Sequence, residues 1–132
     1  MSPRRPATSS RRSERGSVSI ELVILLPALM AVLFLGMQAA LYHHAQTVAI
    51  AAAQEGARVV AAENGHEGLG ISAAQDFVAV AGGDEVLTSP TVTADRTPTR
   101  ATVIVRGYAL SVIPGWRPEI RQAASMPVER LS

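Results

Sequence analysis

Among its 132 residues the chain has no cysteine and no lysine. Without cysteine it has no disulfide framework, no thiol nucleophile and no thiolate metal ligand, and that absence does not by itself fix a compartment. Aromatic residues are scarce, at two Phe, two Tyr and one Trp, and there are three histidines. Two of these, His43 and His44, are adjacent and so point to different faces of a helix, which makes them poor partners for one metal ion and better read as interfacial polar residues beside Tyr42. Asp76, Asp84, Glu85 and Asp95 lack the spacing of a metal loop. No Ser/His/Asp or paired-carboxylate arrangement is built from so few groups, so no catalytic residue, metal or cofactor is expected. The polar remainder after Gly65 is also short for an enzyme with a deep pocket of its own.

What the chain does have is arginine at one end and a long apolar run beside it. All twelve basic residues are Arg, and Arg4, Arg5, Arg11, Arg12 and Arg15 against Glu14 give residues 1–16 a formal +4, leaving −3 for the rest of a chain whose net charge is +1. From Leu22 to Leu41 the residues are apolar with Gln38 as the one strongly polar member, a stretch of about 30 Å as a helix, which matches a hydrocarbon core. Basic residues flanking a first span stay cytoplasmic, so the N-terminus is expected inside and everything after Leu41 outside. The competing use of an arginine cluster, nucleic-acid binding, is disfavoured because no aromatic residue interleaves with it and a span follows at once, so no nucleic-acid partner is expected. Ser10-Arg11-Arg12 is not followed by the apolar residues of a twin-arginine signal. The apolar run also exceeds the roughly 7 to 15 residues of a secretory signal's core and has a charge at its start.

The organisation expected from these patterns has four parts: a basic cytoplasmic leader at 1–16, a transmembrane helix at 17–42, a projecting helix at 43–64 and a small extracytoplasmic α+β head at 65–132. Rich in Ser, Arg and Pro, residues 1–15 cannot bury an apolar face and are expected to be disordered. Helical periodicity starts near Val18 and continues through Ala45, Val48, Ala49, Ala52, Ala53, Gly56 and Val60 to Glu63, with Asn64-Gly65 as the stop. Pro27 lies inside it and is expected to kink or loosen the rod. The small-residue stripe suits close packing, either between subunits or against the chain's own later domain, and also fits a plain alanine helix of high propensity.

Ser72 and Gln75 fit a capping box opening a short helix, Ser72 to Ala81, with Phe77, Val78 and Val80 available for burial. Beyond Gly82-Gly83 the period changes to two. Val86 to Thr93 carries Pro90, which makes it an edge or bent strand; Ala101 to Arg106 alternates well; Ile120 to Met126 is a third strand. Asp95 to Pro98 is the expected hairpin loop and Pro114-Gly115 a turn. Trp116 is expected to plug the core in preference to standing as an exposed contact. The fold class is therefore α+β, a long N-terminal membrane-spanning and projecting helix, then a short helix and a small antiparallel sheet of about three strands.

The residue that least fits a simple anchor is Glu21. A carboxylate at the edge of a lipid-embedded helix needs a partner, since a charge carried to mid-depth costs on the order of 3 kcal/mol or more. It is placed wrongly for a capping box, because a box opened by Ser17 would need Glu at Ile20, and one using Glu21 would need a cap at Val18. A helix-dipole contact would contribute only about 0.3 to 1 kcal/mol. If a peptidase cut between Gly16 and Ser17, the new α-amine of Ser17 would stand one turn from Glu21, and the carboxylate of one chain could pair with the amine of a neighbour.

Arg15-Gly16-Ser17-Val18-Ser19-Ile20-Glu21-Leu22-Val23, with its basic leader, glycine, fifth-position glutamate and long apolar helix, resembles the start of type IV prepilins. More specifically it is similar to the TadE-like pseudopilins of the tight-adherence (Flp) pilus system, a similarity that continues through Ala51 to Ala62 with Gln54-Glu55-Gly56-Ala57-Arg58. The resemblance implies removal of the leader, with its Arg11, Arg12 and Arg15, by an aspartyl prepilin peptidase at Gly16 and Ser17. It further implies Glu21 as the assembly carboxylate and a role as a minor pilin or assembly factor. The partners implied are the prepilin peptidase, other pilin or pseudopilin subunits, the assembly platform and its ATPase machinery, and membrane lipid. The alternatives are an uncleaved single-pass anchor whose head binds a partner and a membrane-tethered enzyme accessory domain.

Overall fold

A computed structural model describes the backbone of residues 8–129 and the side chains of residues 15–129. The architecture is the expected α+β: helix α1 (Thr8–Ala61), helix α2 (Glu67–Val80), a 3₁₀ turn (Gly83–Glu85), and strands β1 (Leu87–Arg96), β2 (Arg100–Ala109) and β3 (Glu119–Pro127). The strands form an antiparallel meander in the order β1-β2-β3. The chain divides into two compact units, residues 1–36 and 37–132.

In the first unit α1 exposes every large apolar side chain along its length, from Val18 and Ile20 through Leu22–Leu26 to Leu33, Phe34 and Leu35. The helix continues through Pro27. It also begins earlier than the periodicity implies, at Thr8 instead of Val18, so residues 8–15 are helical where disorder was expected; residues 1–7, with Arg4 and Arg5, lie outside the described residues. Arg and Glu are good helix formers, and once the apolar segment has nucleated the helix, each residue prepended adds a hydrogen bond without a new nucleation step.

The second unit is a two-layer head. Its core joins Ala45, Val48, Ala49, Ala52, Ala53, Ala57 and Val60 of α1 to Ala74 and Val78 of α2 and to Leu87, Val92, Ala101, Val103, Val105 and Ile120 of the sheet. The small-residue stripe thus packs against the chain's own later domain. Strand β2 alternates as expected, with Ala101, Val103, Val105, Gly107 and Ala109 buried toward the helices and Thr102, Ile104, Arg106 and Tyr108 on the other face. Strand β1 is an edge strand with a bulge between Thr88 and Thr91, where Ser89 takes a φ of 50° beside Pro90. Proline has no N–H for a ladder, and the bulge is where the chain accommodates it.

Helix α2 departs from the expected Ser72 start. It opens at Glu67, with the extended His66 as its N-cap and the Leu69 amide donating to His66 Nδ1 at 3.3 Å. Gly68 and Gly70 therefore sit inside a helix in spite of their propensity, and the reason is tertiary. A Cβ on Gly70 would run into the Val60 side chain and come within 2.8 Å of the Gly56 carbonyl, and one on Gly56 would come within 2.9 Å of the Gly70 carbonyl. The two helices touch backbone to backbone at this pair. Of the three residues expected to bury, Val78 does, whereas Phe77 and Val80 are exposed because α2 turns only one face to the core.

Filling the contact should be destabilising. Gly70→Val is expected to cost about 1–3 kcal/mol through overpacking, read as a fall of several degrees in the thermal midpoint of the detergent-solubilised chain, with Ser72→Val on the exposed face as the control. A midpoint unchanged by Gly70→Val would contradict the close crossing.

Candidate functional site along the N-terminal helix

The residues singled out at the junction all lie on α1. Arg11, Arg12, Arg15, Gly16, Ser17 and Glu21 are helical, and the last four are exposed. A Cβ at Gly16 would meet nothing within 4 Å, so packing does not demand glycine there. Ser17 and Glu21 are one turn apart, about 6 Å along the axis. Among the described residues Glu21 has no ion pair or hydrogen bond from its side chain; the salt bridge formed on this helix is Arg58 to Glu55 at 3.3 Å, on an exposed face. The Ser17 nitrogen is a peptide amide inside the helix and carries no charge.

Further along, two side chains tie the helix to the sheet, and neither was assigned a role from the sequence. Gln38 is 1% exposed; its Nε2 donates to the Leu110 carbonyl at 3.1 Å and its Oε1 accepts from the Val112 amide at 2.9 Å. At the other end the Arg96 guanidinium donates to the carbonyls of Val60 at 2.6 Å, Ala62 at 3.1 Å and Gly65, the last a very close contact. Val60 belongs to the last turn of α1 and Ala62 and Gly65 to the turn that follows it, and a cation at a helix C-terminus is also favoured by the macrodipole. The Arg96 amide in turn donates to Glu67 Oε1 at 3.1 Å. The spacing of the two ties is consistent with the geometry of the elements: Gln38 to Val60 is about 33 Å of helix, and Ala101, the partner of Arg96 in the ladder, to Leu110 is about 31 Å of extended chain.

Both ties had a sequence signal. Gln38 is the lone strongly polar residue of the apolar run, and Arg96 shares the core parity of Val92 and Ala94 in a period-two strand. Trp116, expected in the core, is instead 48% exposed in the loop after β2, because Pro118 and Ile120 take the buried positions at the start of β3. Away from the helix, a shallow groove at the β1–β2 hairpin is lined by Asp95, Arg100, Thr102 and Ser125 among others. It contains one carboxylate and no histidine. No group of three His, Asp or Glu that could hold a metal occurs among the described residues.

By length and composition α1 is able to cross a membrane: its most apolar 18-residue window has mean hydropathy 2.6 and is 0% buried. In comparisons with known proteins, residues 16–58 match the family model described as TadE-like protein. No curated protein and no solved structure matches the chain. The matched segment contains Gly16, Glu21 and Gln38 and most of the small-residue stripe.

Removing the Gln38 amide takes the partner from the part-buried Leu110 carbonyl and Val112 N–H. Gln38→Leu is expected to destabilise the head by about 1–3 kcal/mol. Hydrogen exchange at the Val112 amide should accelerate by more than that at the β1–β2 amides; protection unchanged at Val112 would mean that the tie is not formed.

Proposed function

From a chain that is TadE-like over residues 16–58, we propose a membrane-held minor pilin or pilus-assembly protein of the tight-adherence system, structural in role and processed after Gly16. The observation that carries this reading is the coincidence, within the matched segment, of a helical stretch, 18–37, whose large apolar side chains are exposed on all sides, with Gly16 and Glu21 near its start. A helix hydrophobic all round has no solvent but lipid or other apolar helices. The head lies after the span and the arginines before it, which supports a cytoplasmic N-terminus and an extracytoplasmic head.

On this reading the span runs from Ser17 to Met37. This is five residues shorter than the 17–42 division, since Gln38 is already occupied by the head, and at about 31 Å it still matches a hydrocarbon core. Pro27 sits near its middle and removes the hydrogen bond to the Val23 carbonyl, a point where the rod can bend against neighbouring helices.

Processing supplies what Glu21 lacks. Hydrolysis of the Gly16–Ser17 peptide creates an α-ammonium at Ser17, and the Glu21 carboxylate of one chain pairs with the ammonium of the next in a setting of low dielectric. Each charge offsets the desolvation of the other, and the pair sets the axial register between helices. The partners on this reading are the aspartyl prepilin peptidase, other pilin or pseudopilin subunits, the assembly platform with its ATPase, and membrane lipid.

Two measurements test it. Intact mass and N-terminal sequencing of membrane-derived protein are expected to show a chain that begins at Ser17; a retained leader would favour an uncleaved single-pass anchor whose head binds a partner. Glu21→Ala is expected to leave membrane insertion intact while abolishing co-purification with other pilin subunits, and undiminished co-purification would refute the assembly role of the carboxylate.

A further inference from the structure

The loop that Gln38 holds is unlike a loop made for water. Between β2 and β3 the chain runs Leu110-Ser111-Val112-Ile113-Pro114-Gly115-Trp116-Arg117, with Leu110 42% and Trp116 48% exposed and Ile113 half-buried. It is nevertheless well tied. The Ala109 amide donates to the Pro118 carbonyl at 2.9 Å across its base, Ser111 Oγ donates to the Ile113 carbonyl at 2.8 Å, and the Trp116 amide closes a turn onto Ile113 at 3.3 Å. Gly115 takes a φ of 77°, which lets the turn close. The Arg117 guanidinium lies 4.4 Å over the Tyr108 ring, so the cation is held beside the indole in sequence and parked on an aromatic face.

The position of this loop in the head follows from the two ties. Arg96 grips the C-terminal carbonyls of α1, and β2 then runs back along the helix until Leu110 and Val112 meet Gln38. The loop is therefore at the end of the head where the chain enters it. Gln38 follows Met37, the last of the exposed large apolar residues of the N-terminal run, so chain connectivity alone sets the loop's attachment within one residue of the point where that run ends. Tyr42, His43 and His44 follow within the next two turns. Tryptophan and tyrosine are the residues of membrane–water interfaces, and an arginine there keeps its stem in the apolar layer and its head among phosphates.

We propose that the Leu110–Arg117 loop is a second membrane contact of the head: Trp116, with Leu110 and Ile113, seats at the boundary between headgroups and acyl chains, and Arg117 faces lipid phosphate. The occupant of this surface is the bilayer that α1 crosses, and the proposal rests on that membrane reading.

Trp116 is the one tryptophan in the chain, so its fluorescence reports this loop alone. The full chain is reconstituted into phosphatidylcholine–phosphatidylglycerol vesicles whose acyl chains carry bromine near either the glycerol end or the methyl end. The expected result is loss of Trp116 emission with the shallow bromines and a smaller loss with the deep ones. A Trp116→Phe, Leu29→Trp chain should show the reverse order, which reads the span independently. Trp116 emission indifferent to both bromolipids, with the position-29 reporter quenched by the deep bromines, would overturn the loop contact and leave the anchor standing. Indifference at both positions would overturn the membrane reading along with it. Trp116 shielded from bromolipid and from aqueous acrylamide alike would mean that protein covers the loop, and would also overturn the proposal.

Discussion

Everything in the head depends on how near the backbone of α1 comes to its neighbours. Ala45, Ala49, Ala52, Ala53, Gly56 and Ala57 hold the helix against sheet and second helix at a distance that leucines would not permit. Such a face buries little area per residue, so its contribution from apolar transfer is modest; what it adds is access. Because the backbones are close, an arginine on a strand can reach three carbonyls at a helix end, and one glutamine can hold both a carbonyl and an amide of a loop. Hydrogen bonds of this kind, the three from Arg96 charge-assisted, satisfy part-buried polar groups.

The same helix meets two environments, and its side chains change accordingly. Up to Met37 they are large, apolar and outward-facing; from Gln38 onward the inward-facing ones are small and are covered by the chain's own sheet. That change divides the molecule into an exposed apolar helical segment and a head. Glu21 and Gln38 sit near the two ends of the apolar stretch. One is a carboxylate with no side-chain partner among the described residues, the other an amide bonded through both its nitrogen and its oxygen. The second closes a contact within the chain.

Much of this was legible in the sequence where a period or a breaker spoke for a local geometry. The alanine stripe at i+3 and i+4, the alternation of Ala101 to Arg106 and the Pro90 signal for an irregular edge strand all correspond to what is observed. What could not be read were features set by tertiary contact. Ser72 looks like a cap because Gly68 and Gly70 look like a joint, yet Gly70 is helical because Gly56 and Val60 leave no room for a side chain. Trp116 looks like a core residue by size alone, and size does not say which side of a hairpin loop faces inward. Arg96 lies at a core-parity position and reads as an error of alternation until the carbonyls of Val60 and Ala62 are seen in front of it. At the junction, the residue types of Gly16, Ser17 and Glu21 carry a chemical argument that a single uncut chain has no second helix to complete.

The irregularity in β1 has a bearing on what happens when many such heads share one plane. Tethered molecules meet far more often than free ones, and a three-stranded meander has two open borders through which identical sheets could zip into a continuous ribbon. On the first border the left-handed Ser89 and the amide-less Pro90 break the row of donors and acceptors; on the other, the border strand finishes at Pro127 and carries the outward charges of Glu119 and Arg121. Both borders are thereby poorly suited to pairing with the edge of another sheet.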